Sequence, residues 1–250
     1  FYISEETKRK LREVFPYWKG KTTSELATSY MTNATLVAIE HNIFTPGNYF
    51  YNGIGHVTVD YGKVLKEGYS GIIAEAKEAL QKLVVGDGDY CKKSAFLRAV
   101  IISCEAVIGY ANRYSRLAKE LAGKEKDPVR KRELEKISAV CAKVPAYGAT
   151  DFYEACQSFW FVQICISTES SGHSISPGRF DQYMYPYYEI SRKNGMTREQ
   201  AQELIECVWV KLNDINKCRD LASAEGFAGY SMFQNLIAVS YTHLTLPTIR

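Results

Sequence analysis

Residues 152–167 read Phe-Tyr-Glu-Ala-Cys-Gln-Ser-Phe-Trp-Phe-Val-Gln-Ile-Cys-Ile-Ser, and they are apolar on nearly every side of a helical wheel. A helix with no polar face cannot lie at a water surface, so it must be buried between other elements. The chain leaves this helix into Ser-Ser-Gly-His-Ser-Ile-Ser-Pro-Gly-Arg-Phe-Asp-Gln-Tyr-Met-Tyr-Pro-Tyr-Tyr (170–188). Here His173, Ser174, Arg179 and Asp181 stand among glycines and prolines. Polar groups on a loop held by a rigid scaffold are where small ligands bind. The plainer reading is a capped helix end with a surface histidine. The segment has neither metal-ligand spacing nor a nucleophile elbow, so the residues alone leave both readings open.

Local signals predict further helices around that core segment. Ser4 before Glu5 and Glu6 is an N-cap with acids in the first turn, opening a helix to about Phe15. Residues 60–83 carry Val64, Leu65, Ile72, Ile73, Ala76, Leu80 and Leu83 at helical spacing. A long helix is expected from Tyr90 to about Leu121. Asp127-Pro128 is an N-cap with Pro at the first helical position, and that helix ends before Pro145. Thr197 with Gln200 forms a capping box for a helix to about Asn216. Strand signals are few: residues 55–59 alternate weakly, and 236–239 form a short apolar run. Residues 240–250 have no helical or strand period and are set aside as a non-native sequencing tail.

A chain of 250 residues, 46% apolar and 24% charged, is a soluble globular type long enough for a sizeable core. The net charge of +3 argues against a nucleic-acid partner. The mixed-sign run 124–131 reads as a solvated helix start, and the uncharged apolar runs fall short of a membrane span. There is no signal peptide, and Phe1 in place of Met predicts a natural start further upstream. Seven cysteines with no Cys-x-x-Cys pair fit a reducing cytoplasm and act as small apolar side chains rather than a disulfide framework.

A second polar stretch, Asn-Tyr-Phe-Tyr-Asn-Gly-Ile-Gly-His (48–56), places three aromatics and three glycines (counting Gly47) before a histidine. Alone it is a weak signal, and the nearby Asp60 fits a helix N-cap. Taken with Gly-His-Ser-Ile-Ser-Pro (172–177) it is specific. The chain resembles the glycyl radical enzymes, the superfamily of pyruvate formate-lyase and the radical dehydratases, most of all the B12-independent glycerol (diol) dehydratase branch. The resemblance runs from about residue 3 to 239. It also rests on Gly-Lys-Thr-Thr-Ser-Glu-Leu-Ala-Thr-Ser-Tyr-Met-Thr (20–32), Val-Asp-Tyr-Gly-Lys-Val-Leu (59–65) and Phe-Tyr-Glu-Ala-Cys-Gln (152–157). Lys-Leu-Asn-Asp-Ile-Asn-Lys (211–217) and Met-Phe-Gln-Asn-Leu-Ile (232–237) complete the set.

The resemblance implies an α/β fold: a ten-stranded barrel wrapped by helices, of which this chain is the N-terminal, mostly helical part. Residues 1–239 would supply outer helices and the first barrel elements. The family's radical-bearing Gly loop and its Gly-Cys-x-Glu loop have no counterpart here, so the chain alone is expected to be inactive. It would bind no cofactor itself. The intact enzyme would carry a glycyl radical installed by a SAM-dependent iron-sulfur activase, which is the implied partner, and a homodimer is implied as well. The implied reaction removes water from a small polyol. By resemblance His56 is the acid that protonates the departing hydroxyl, since His donates near neutral pH. His173 and Ser174 would hold substrate hydroxyls, and Asn48 would line the pocket. Ser171 stands where the branch usually has Asn, which shortens one hydrogen-bonding side chain. The alternatives are a formate-lyase-like or choline-lyase-like enzyme of the same superfamily, and a helical scaffold module whose polar residues are satisfied core groups.

Overall fold

The computed structural model describes residues 3–46, 57–169 and 175–215. Among them are α1 (Glu5–Trp18), α2 (Thr23–Ser29), α3 (Asn33–Glu40), α4 (Tyr61–Gln81), α5 (Tyr90–Lys124), α6 (Pro128–Lys143), α7 (Phe152–Glu169), α8 (Phe180–Lys193) and α9 (Arg198–Asn213). The expected apolar helix is α7, and it occupies the centre. It touches α4, α5, α6, α8 and α9. Phe152, Ala155, Cys156, Phe159 and Val162 join the main core with Tyr61, Val64 and Leu65 of α4, Met184 of α8, and Ala201, Val208 and Leu212 of α9. On its other side Phe161 joins Ala111 of α5 and Cys141 of α6. Burying each of these phenylalanines contributes about 2–3 kcal/mol, which is why one all-apolar helix can organise five neighbours.

The caps fall where the sequence places them. The Ser4 side chain accepts from Thr7 N, Asp60 from Lys63 N and Asp127 from Val129 N. Thr197 and Gln200 form the reciprocal capping box. Lys143 at the end of α6 clamps Glu154 in the first turn of α7, with Nζ 2.6 and 2.8 Å from the two carboxylate oxygens. Thr150 donates to the same carboxylate from N and Oγ1. Burial alone would raise the Glu154 pKa, but these donors outweigh it and hold the carboxyl below its usual value.

Four features depart from the sequence reading. Helix α4 is broken at Gly68, where φ is 68° and ψ 172°. The loop 145–149 docks into the break: Tyr69 N donates to Pro145 O, Ser70 N to Ala146 O, and Ala149 N to Leu65 O. The periodicity of apolar residues continues through Gly68, so it could not reveal the interruption. The short helices α2 and α3, which bury no residue, and the helix α8 were not anticipated. Pro186 lies within α8 and Gly178 just before it, and these residues disguised the helix as a loop. Finally, α5 is long and apolar enough by composition to cross a membrane. Arg98 and Glu105 interrupt its uncharged runs without making the whole window polar. Here α5 packs along α4 and α6, burying Ser94, Cys104, Ala111, Ala118 and Ala122.

Candidate active site

No strand is formed among the described residues, but one parallel bridge joins Thr58 to Ser176. Its position gives it meaning. Thr58 follows His56 by two residues, and Ser176 follows Ser174 by two. The chain is thus brought side by side just downstream of both polar segments. His56, Asn48, His173 and Ser174 themselves lie outside the described residues, as does the expected apolar run 236–239.

The second segment of this bridge is held tightly. Ile175, Ser176, Pro177 and Gly178 are all buried. From α7, Gln163 Nε2 donates to Ile175 O at 3.2 Å. From α8, Tyr183 Oη donates to Pro177 O at 2.7 Å. Gly178 N donates to Ser176 Oγ at 3.3 Å, closing a local turn. The first segment runs into α4, whose first residue Tyr61 donates from its buried hydroxyl to Gln163 Oε1. The Tyr61 ring stacks on Tyr183 with centroids 5.6 Å apart and lies 4.7 Å from Phe159. Burial pushes the phenols of Tyr61 and Tyr183 well above their usual pKa, so both remain protonated donors.

Of the four polar residues singled out in 170–188, two fall within the described structure, and they form no pocket. Arg179 precedes α8 and Asp181 lies in its first turn, both exposed, with Nε and Oδ1 3.5 Å apart. They belong to a solvated helix start. The buried and half-buried cysteines of the core behave as apolar side chains, while Cys91 and Cys207 are exposed: burial pushes Cys156 up to about 12 and Cys141 and Cys165 up to about 11. A thiol so disfavoured from ionising is a poor nucleophile. No group of three His, Cys, Asp or Glu that could hold a metal ion occurs among the described residues.

A cavity of about 540 Å³ opens on the opposite face of α7, between α5, α6 and α9. Tyr114, Leu117, Trp160, Ile164, Leu204 and Val208 are among its lining residues, and Lys211 is its only charged group. The wall is mostly apolar, with Tyr110, Tyr114, Tyr153, Gln157 and Lys211 adding polar groups. The bridge, by contrast, lies next in sequence to both polar segments. Sequence reading missed Tyr61, Gln163 and Tyr183. The available signals were a tyrosine within the motif 59–65 and an amide inside an apolar helix.

Comparison with known proteins gives this arrangement a context. The sequence matches the pyruvate formate lyase-like family over residues 1–240. It is similar in structure to a protein of Roseburia inulinivorans solved in connection with 1,2-propanediol dehydration, with TM-score 0.81 and 62% identity, covering 94% of this chain and 30% of that one. The glycerol-bound B12-independent glycerol dehydratase of Clostridium butyricum matches with TM-score 0.80 and 60% identity, over 94% of this chain and 30% of that one. Among curated sequences, the (2S)-3-sulfopropanediol dehydratase of Klebsiella oxytoca is 38% identical over 241 residues, 93% of this chain and 29% of the relative. The chain therefore spans about three-tenths of the length of these relatives.

Proposed function

This chain belongs to the pyruvate formate lyase-like family, and from that premise we propose that it is the N-terminal part of a glycyl radical dehydratase that removes water from glycerol or a 1,2-diol. The observation that carries the reading is the Thr58–Ser176 bridge. It supports convergence of two segments far apart in sequence, each rich in the donors that such a substrate needs. The 60–62% identity to the glycerol dehydratase and to the 1,2-propanediol-associated protein favours a diol over the formate-lyase-like and choline-lyase-like alternatives. A scaffold role has no such support.

In this proposal residues 1–239 contribute outer helices and the first elements of an α/β barrel, 240–250 are a non-native tail, and the rest of the polypeptide carries the thiyl cysteine and the glycyl radical. A thiyl radical formed on that cysteine would supply removal of a hydrogen atom from the substrate carbon bearing one hydroxyl. His173 and Ser174 grip the two hydroxyls by hydrogen bonds, so that only that carbon faces the radical. Asn48 lines the same pocket. His56 gives its proton to the neighbouring hydroxyl as the C–O bond breaks, so that water leaves rather than hydroxide. The hydroxyl on the radical-bearing carbon would give up its proton as its C=O forms, making good the proton that His56 delivered, and return of the hydrogen atom would complete an aldehyde product. Closing the pocket against solvent also protects the radical from side reactions. The enzyme acts in the cytoplasm as a homodimer, and a radical-SAM activase is its partner.

The full-length enzyme, produced anaerobically with that activase, is expected to convert glycerol or 1,2-propanediol to the corresponding aldehyde, and dioxygen is expected to abolish the activity. Diol turnover by aerobically purified protein without an activase would overturn the proposal.

A further inference from the structure

Gln163 is the largest polar side chain fully buried in the central helix α7. Its two ends face two different parts of the chain. Ile175 O can only accept, so the amide nitrogen must turn toward it, and Oε1 then faces Tyr61, whose hydroxyl donates. This leaves one orientation of the amide. Tyr61 stands five residues after His56 and is the first residue of α4. Ile175 directly follows Ser174. The same two segments are joined directly at Thr58 and Ser176, and Tyr183 fixes the far end through Pro177 O.

We propose that Gln163 is a positioning residue whose amide ties residues 57–61, which follow His56, to residues 175–178, which follow Ser174, setting the spacing across which a diol is gripped. The proposal rests on the functional reading above. A buried amide is otherwise a poor choice for this site. Apolar groups of the same shape in place of both hydrogen-bond partners can be nearly neutral for stability, so a role in packing alone would be met by leucine at 163 and phenylalanine at 61. A hydrogen-bonded amide adds direction: it holds a backbone carbonyl at a set distance from a tyrosine 102 positions from it in sequence. Small errors in such spacing are costly when a substrate must present one C–H bond to a radical.

The test uses the full-length enzyme with its activase, in wild-type, Gln163→Leu, Tyr61→Phe and doubly substituted forms. Radical content, kcat, KM for 1,2-propanediol and amide hydrogen exchange are measured on each. Gln163→Leu is expected to leave radical content unchanged and to raise KM about tenfold or more, the range expected when one buried hydrogen-bond partner is removed. The fall in kcat should be smaller. Exchange should quicken at residues 57–60 and 175–178 and not elsewhere. The double form should be no worse than Gln163→Leu, because both changes break one link. Unchanged KM and unchanged exchange in Gln163→Leu would overturn the proposal, as would exchange that quickens evenly through every helix, the mark of a packing role only. If Gln163→Leu does not fold, the milder Tyr61→Phe carries the same measurements. A wild-type enzyme that turns over no diol would refute the functional reading, while the exchange pattern would still decide whether Gln163 links the two segments.

Discussion

A departing hydroxide is a poor leaving group, and a proton delivered at the right moment is worth about 10²–10⁴-fold in rate. On the proposed mechanism His56→Ala should therefore lower kcat by about 10²-fold or more, while the glycyl radical signal, formed before substrate chemistry, persists. His173→Ala and Ser174→Ala should act through substrate placement and raise KM instead. Electron paramagnetic resonance together with steady-state kinetics separates these roles, and a His56→Ala enzyme with normal kcat and only a raised KM would make His56 a binding group. These three side chains are proposed from the sequence, where Gly, His and Ser in fixed order form family motifs. Gln163, Tyr61 and Tyr183 were not, because a lone amide or phenol in an apolar segment shows no partner until the chain is folded.

Among the elements, caps and apolar spacing carried α1, α4, α5, α6, α7 and α9, since these signals depend on neighbours three or four residues away. The break in α4 depends on a distant loop. Gly68 has a backbone conformation open essentially to glycine alone, and a Cβ there would meet Ala146 O at 2.4 Å and the Tyr147 backbone at 2.5 Å. Gly68→Ala is expected to destabilise the enzyme by about 1–3 kcal/mol from the backbone alone, with the clash adding to it, and thermal melting would record the fall. Gly86→Ala is the matched control, because a Cβ there meets nothing within 4 Å. Equal melting temperatures for the two variants would show that loop 145–149 is not locked against α4. The helix α8 escaped notice for the converse reason: Pro186 signals a turn locally, yet Phe180, Tyr183 and Met184 are held against α4, α7 and α9.

For the molecule as a whole, the exposed apolar side chains around the 540 Å³ cavity bear on how this chain behaves by itself. Tyr114, Leu117 and Leu121 are each more than two-fifths exposed, and contiguous apolar surface of this kind favours association. Residues 1–250 expressed alone are expected to be poorly soluble or molten, binding a hydrophobic dye and unfolding without a sharp transition. A monodisperse monomer with cooperative unfolding and a native-like near-ultraviolet signal would contradict this. The sequence by itself determined the helical character, the burial of α7, most helix starts and the family, because each is written in short-range spacing or in contiguous motifs. Only the tertiary structure decided that Thr58 lies beside Ser176, that Gln163 joins Tyr61 to Ile175, and that α4 opens at Gly68 to receive a loop. Those contacts join residues from 12 to more than a hundred positions apart, and they exist only once α7 is enclosed and its few polar groups must find their partners inside the core.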